Sequence, residues 1–88
     1  MDLKEIIEGC VEGRPGAWDM LVNTYAKRVF NTAYQFTGCR TEAEDQTQEI
    51  FMKVFHSLDR FDRMKNFDAW LLTVARNHLI DSYRRTRW

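Results

Sequence analysis

The sequence holds one proline, Pro15, and none of the Asn-Gly, Asp-Gly or Gly-Gly pairs that turn a β-hairpin. Its apolar residues recur at steps of three and four, and the alternation of a half-buried strand is missing. Both absences exclude a sheet. No apolar run approaches the roughly 20 residues that span a bilayer. The two cysteines, Cys10 and Cys39, have no CxxC spacing, and only His56 and His78 could join them, so no metal constellation exists. No glycine-rich phosphate loop is present, and the two histidines fall on different elements. An enzyme is therefore not expected, nor a cofactor. The start, "MDLKEIIEGC", is acidic and amphipathic, unlike a signal peptide. The expected compartment is the cytoplasm, where both thiols would stay free.

What is present suits one small domain. The chain has 88 residues, 44% of them hydrophobic and 14% aromatic, enough for one modest core. Net charge is zero, which argues against an indiscriminate nucleic-acid binder, but the charges are segregated. Residues 41–59 carry five acidic side chains against one basic, net −4, while residues 60–88 carry seven basic against three acidic, net +4. Such a chain can serve two different partners, or can simply present a mixed solvated surface.

The pattern predicts an all-α bundle of about four helices, over residues 2–12, 15–37, 42–57 and 67–85. "DLKE" at Asp2 and "TEAE" at Thr41 read as capping boxes, Pro15 as a first-turn residue and Gly38 as a left-handed stop. Leu3, Ile6, Ile7, Cys10 and Val11 form the apolar face of the first helix. Trp18, Leu21, Val22, Tyr25, Val29, Ala33 and Phe36 form that of the second. Ala43, Thr47, Ile50, Val54 and Leu58, flanked by Phe51 and Phe55, do the same in the third. The stretch "SLDRFDRMKN", residues 57–66, has no helical period and reads as an ordered loop.

Two polar faces stand out. On the third helix Asp45, Gln48, Glu49, Met52 and His56 share a stripe opposite the core, and a methionine among charges suits an adaptable docking surface as well as a solvated one. On the fourth helix Phe67, Leu71, Ala75 and Leu79, with Leu72 beside them, make the buried side, and His78 reads as a hydrogen-bonded structural histidine. Trp70, Thr73, Asn77, Asp81 and Arg84 make a second stripe. An outward tryptophan can stack on a base, Asn can pair with an adenine edge and Asp can accept from a cytosine amino group. Arg84, Arg85 and Arg87 can hold phosphates. The same pattern also fits a tryptophan at the core edge and a solvated cationic helix end.

"AEDQTQEIFMKVF", "LDRFD" and "FDAWLLTVARNHLIDSYRR", in that order and after the entry "RPGAWDMLVNTY", resemble region 2 of extracytoplasmic-function sigma factors, the small alternative sigma subunits of bacterial RNA polymerase. The resemblance runs from about Trp18 to Arg85. It implies that Asp45, Gln48 and Glu49, extended by Met52, dock on the clamp helices of the polymerase β′ subunit. It implies that the loop from Phe61 to Asn66 captures a base flipped from the non-template strand of the promoter −10 element. Asn77 and Asp81 would read neighbouring bases, with Trp70 and Thr73 beside them and Arg84 and Arg85 on the backbone. It also implies an anti-sigma factor covering these surfaces, through which alone the chain would meet a membrane. The chain ends at Trp88, where the linker to the −35-binding region 4 would start, so it reads as the isolated promoter-melting domain. The rival readings are a duplex-reading helix-turn-helix regulator, which needs a shorter turn before its recognition helix, and a purely protein-binding helical module.

Overall fold

A computed structural model describes the backbone of residues 2–87 and the side chains of residues 2–85. Four helices follow one another: α1 (Leu3–Glu12), α2 (Ala17–Thr37), α3 (Arg40–Ser57) and α4 (Phe67–Arg87), with a short 3-10 turn (Leu58–Arg60) leaving α3. No strand occurs among the described residues. The all-α expectation holds.

The helix ends have local causes. Asp2 is extended and its Oδ1 accepts from the Glu5 amide at 2.9 Å, the expected cap of α1. Gly13, Gly16 and Gly38 all sit at positive φ, and the last closes α2 with its amide on the Tyr34 carbonyl at 2.8 Å. Two expectations need correcting. Pro15 lies in the turn before α2, because Gly16 at φ 81° is the residue that enters the helix. Thr41 does not cap α3, which begins one residue earlier at Arg40 behind Cys39. Gly38 reverses the chain so abruptly that Thr37 serves the junction, its Oγ1 accepting from the Cys39 amide at 3.3 Å.

One core unites the four helices through Ile7, Leu21, Val29, Ile50, Val54, Leu71 and Leu79. Ala33, Ala43 and Ala75 are fully buried, and their small side chains let α2, α3 and α4 approach closely. The outer members of the expected faces are less covered. Phe36 stays 46% exposed and Phe55 54%, Val11 is exposed and Leu72 is half-buried, because the stripes wrap past the contact. Between α3 and α4 the chain runs through the 3-10 turn and six further residues, longer than the tight turn of a helix-turn-helix.

α1 leans on α2 where Gly9 meets Ala17. A Cβ built on Gly9 would lie 2.9 Å from the Ala17 Cβ, inside any tolerated contact. Gly9→Ala should therefore destabilise the fold although it improves helix propensity by about 1 kcal/mol. Overpacking costs about 1–3 kcal/mol, so a net loss of about 1 kcal/mol is expected in urea denaturation. A midpoint equal to or above wild type would show that the two helices separate freely at this point.

Candidate nucleic-acid interface and docking face

The start of α4 is built on aromatic rings. Phe67 packs edge-on against Tyr25 of α2 (5.3 Å between centroids) and against Phe61 (5.4 Å), and Trp70 lies tilted over Phe61 (5.1 Å) and Phe67 (5.7 Å). The expected loop reader Phe61 is therefore misassigned. It is 7% exposed and belongs to the core, because its ring fills the gap between the 3-10 turn and α4. Trp70 is only half-buried; it packs on the core with one side and does not stand fully outward as expected.

Asp68 locks this joint. The Tyr25 hydroxyl donates to its Oδ1 at 2.6 Å, and Arg28 reaches its Oδ2 at 2.7 Å while its guanidinium lies over the Tyr25 ring. The Tyr25 hydroxyl bond, opposed by burial and helped by Arg28, holds the Asp68 carboxyl below the usual range. Burial, and then the Asp68 carboxylate, push the Tyr25 phenol up to about 12. Spacing alone does not reveal this clasp: Tyr25 counted only as an apolar-face residue, and 43 positions separate it from Asp68.

The loop is fastened at both ends. Asp62 Oδ1 accepts from the Met64 amide at 2.9 Å and its carbonyl from the Lys65 amide at 2.9 Å. Asn66 caps α4, its Oδ1 accepting from the Ala69 amide at 2.9 Å. Asn66 is thus exposed as expected but already structural. Residues 62–66 form an exposed rim with Met64 at its tip, 93% exposed. Met64 falls within the expected capture loop but was not singled out there; only its apolar character inside "DRMKN" distinguishes it.

Along α4, Thr73, Asn77, Asp81, Arg84 and Arg85 are all exposed. The Thr73 hydroxyl donates to the Ala69 carbonyl at 2.9 Å, leaving only its lone pairs to a ligand. The Asn77 side chain forms no hydrogen bond, and Asp81, Arg84 and Arg85 no salt bridge, with any described residue. The Arg87 side chain lies outside the described residues. The stripe offers a neutral amide, a carboxylate and two guanidiniums in succession, a set suited to base edges first and phosphates beyond.

On α3, Asp45, Gln48, Glu49, Met52 and His56 are exposed, Met52 by 56%. A hydrogen bond from Gln46 Nε2 to Ser82 Oγ at 3.0 Å ties this helix to α4. His78 sits between the two helices at 2% exposure. It is not the hydrogen-bonded histidine expected, since neither ring nitrogen has a hydrogen-bond partner among the described residues; Nε2 stops 3.6 Å from Glu49 Oε1. Burial above all, aided by Lys53 and Arg85 and opposed by Glu49 and Asp81, lowers its pKa from 6.5.

No cluster of the described residues could hold a metal ion, and no described helix is long and apolar enough to cross a membrane. Comparison with known proteins places this geometry. The family profile of Sigma-70 region 2 matches residues 21–88. The chain is 39% identical over 69 residues to the ECF RNA polymerase sigma factor SigE of Mycolicibacterium smegmatis, covering 78% of this chain and 26% of that protein. It is 31% identical over 87 residues to the ECF RNA polymerase sigma factor SigW of Bacillus subtilis, covering 99% of this chain and 46% of that protein. The chain thus spans less than half the length of these relatives. Among solved structures it is similar to an engineered region 2 of sigmaE in complex with GTAAAA, with a TM-score of 0.85 and 25% identity over 97% of this chain and 93% of the other.

His78 makes stability depend on pH. Its native pKa lies below the 6.5 of the unfolded chain, so the unfolded state binds the proton more readily. The contribution is complete above pH 6.5 and is lost as the pH falls from there through the native value. Denaturation at pH 7.5 and 5.5 should show a loss that His78→Leu reduces. Parallel losses in the two proteins would refute the assignment.

Proposed function

Because the chain belongs to the Sigma-70 region 2 family, we propose that it recognises and helps to melt the promoter −10 element while seated on RNA polymerase. The observation that supports this is the likeness to a region 2 solved with GTAAAA, together with an exposed stripe of Asn77, Asp81, Arg84 and Arg85 whose groups suit base edges and phosphates. Asn77 and Asp81 read bases of the non-template strand, Arg84 and Arg85 hold its backbone, and the rim from Asp62 to Asn66 receives an extruded base. Trp70 borders that rim with its open edge. Melting costs a mean of roughly 1.4 kcal/mol per stacked step, and capture of a flipped base offsets part of it.

The stripe of Asp45, Gln48, Glu49 and Met52 docks on the polymerase core, at the clamp helices of β′. An anti-sigma factor that covers this stripe and the DNA face together is the regulator in this reading. The domain works in the cytoplasm and carries out no reaction of its own. Zero net charge supports the division of labour, since affinity for DNA follows the number of phosphates neutralised, and a neutral domain holds DNA firmly only when the polymerase presents it.

Two measurements test the reading. Fluorescent single strands containing GTAAAA, base-substituted strands and the matching duplex are titrated at two salt concentrations, with core polymerase present. The single strand should bind better than duplex. Asn77→Ala should cost about 1–3 kcal/mol on the preferred strand and level the sequence differences. Arg85→Ala should weaken all strands alike and lower the salt slope by about 0.7. Duplex bound as tightly as the single strand would contradict the proposal. For docking, Gln48→Ala with Glu49→Lys should abolish binding to core polymerase with the circular dichroism unchanged; undiminished affinity would remove the α3 stripe from the interface.

A further inference from the structure

Polar side chains of α3 and α4 meet twice along their seam, one turn apart. Gln46 Nε2 donates to Ser82 Oγ at 3.0 Å. Glu49, three residues further along α3, approaches His78, four residues back along α4. The first contact is closed and the second is open, since His78 Nε2 and Glu49 Oε1 stand 3.6 Å apart. The two partners differ sharply in exposure: His78 is buried, while the Glu49 side chain is 58% exposed. Neither ring nitrogen of His78 has a hydrogen-bond partner among the described residues, and the buried Gln46 Oε1 has none either. Glu49 makes no salt bridge with any described lysine or arginine.

This arrangement responds to a proton. A neutral imidazole carries one N–H and one lone pair, and here neither is used. Protonation makes both nitrogens donors and puts a positive charge where water scarcely reaches. A buried charge is costly unless an opposite charge pairs with it. Lys53 and Arg85 oppose the proton, and Glu49 and Asp81 favour it; all four stand on α3 and α4. Of the two carboxylates, only that of Glu49 comes within 4 Å of the ring nitrogens. A charge-assisted bond needs about 2.8 Å, so a small rotation of the exposed Glu49 side chain closes the gap.

We propose that His78 is a proton-driven latch: when protonated it draws the Glu49 carboxylate inward into an ion pair, and the acidic stripe of α3 loses a charge. The functional part rests on the reading of that stripe as the polymerase-docking face. A cationic partner group that engages Glu49 competes with protonated His78 for one carboxylate. Linkage makes the opposition reciprocal. A proton on His78 weakens docking, and docking makes His78 harder to protonate. Burial keeps the ring neutral at pH 7.5, so the latch is open there and closes as the pH falls through the native value, below 6.5.

The chain alone decides whether the pair forms. The Cε1 proton of His78 is followed by NMR against pH in wild type and in Glu49→Gln. Loss of the carboxylate should lower the titration midpoint; an unchanged or higher midpoint overturns the latch. Docking is then measured with the whole chain and purified core RNA polymerase at pH 7.5, at the wild-type midpoint and one pH unit below it, with circular dichroism checking the fold at each. Apparent Kd rises as the open fraction falls, about twofold at the midpoint and about tenfold one unit below. His78→Leu should bind like wild type at pH 7.5 and lose much less at the lower values. Should His78→Leu not fold, His78→Gln takes its place. Equal losses in wild type and variant overturn the control of docking by His78. If wild type fails to bind core polymerase at pH 7.5, the docking reading falls and its control with it, while the NMR midpoints still decide the pairing.

Discussion

The clasp of Asp68 on Tyr25 and Arg28 fixes where α4 begins, and both faces of that helix are referred to it. Asp68 stands in the first turn of α4, where a carboxylate also favours the helix dipole. Tyr25 brings its hydroxyl through the edge of the core, so the bond links the hydrophobic interior of α2 directly to the first turn of α4. Phe67 and Phe61 then fill the space beneath it. With its start held by rings and by a charge-assisted bond, α4 cannot slide or rotate without emptying the joint. The exposed positions of Asn77 and Asp81 follow three turns later from helical geometry alone.

From this joint the helix works as a partition. One side carries Leu71, Ala75 and Leu79 into the core, and the opposite side presents Asn77, Asp81 and Arg84. His78 occupies the seam between α4 and α3, where a buried polar ring without a hydrogen bond is a cost the fold carries. Glu49, 3.6 Å from its Nε2, lies on the exposed polar stripe of α3. The polar stripes of α3 and α4 therefore share this seam, and a change in packing there reaches both.

Much of this was legible in the sequence. The period of three and four placed the helices and nearly all of the core, and the acidic middle and basic end marked two faces before any coordinates. The failures share a cause. Trp70 was assigned outward by its place on the helical stripe with Thr73 and Asn77, and Phe61 by its place in the capture loop that the resemblance implies; period is blind to rings that gather from a turn and a helix start. The Thr41 cap failed because Gly38 and Cys39 alone suffice for the chain to turn, a matter of left-handed backbone geometry. The Asp68 clasp and the approach of Glu49 to His78 join residues far apart in the chain, which spacing along one helix cannot reveal. Asn66 shows the converse: it was selected as a reader by its position and turned out to hold the helix end as well.

The way the loop is tied has an evolutionary consequence. Buried Phe61 and Phe67 anchor it at either side, and the Asp62 and Asn66 side chains secure the backbone just inside them. Between these four points lie Arg63, Met64 and Lys65, all exposed; the one ion pair among them, Arg63 with Glu8 at 3.6 Å, is of the solvent-screened kind that contributes little to stability. Those three positions form an exchangeable cassette. Substitutions at these positions carry almost no thermodynamic penalty, so the rim can change its surface chemistry while the scaffold that presents the cassette stays as it is.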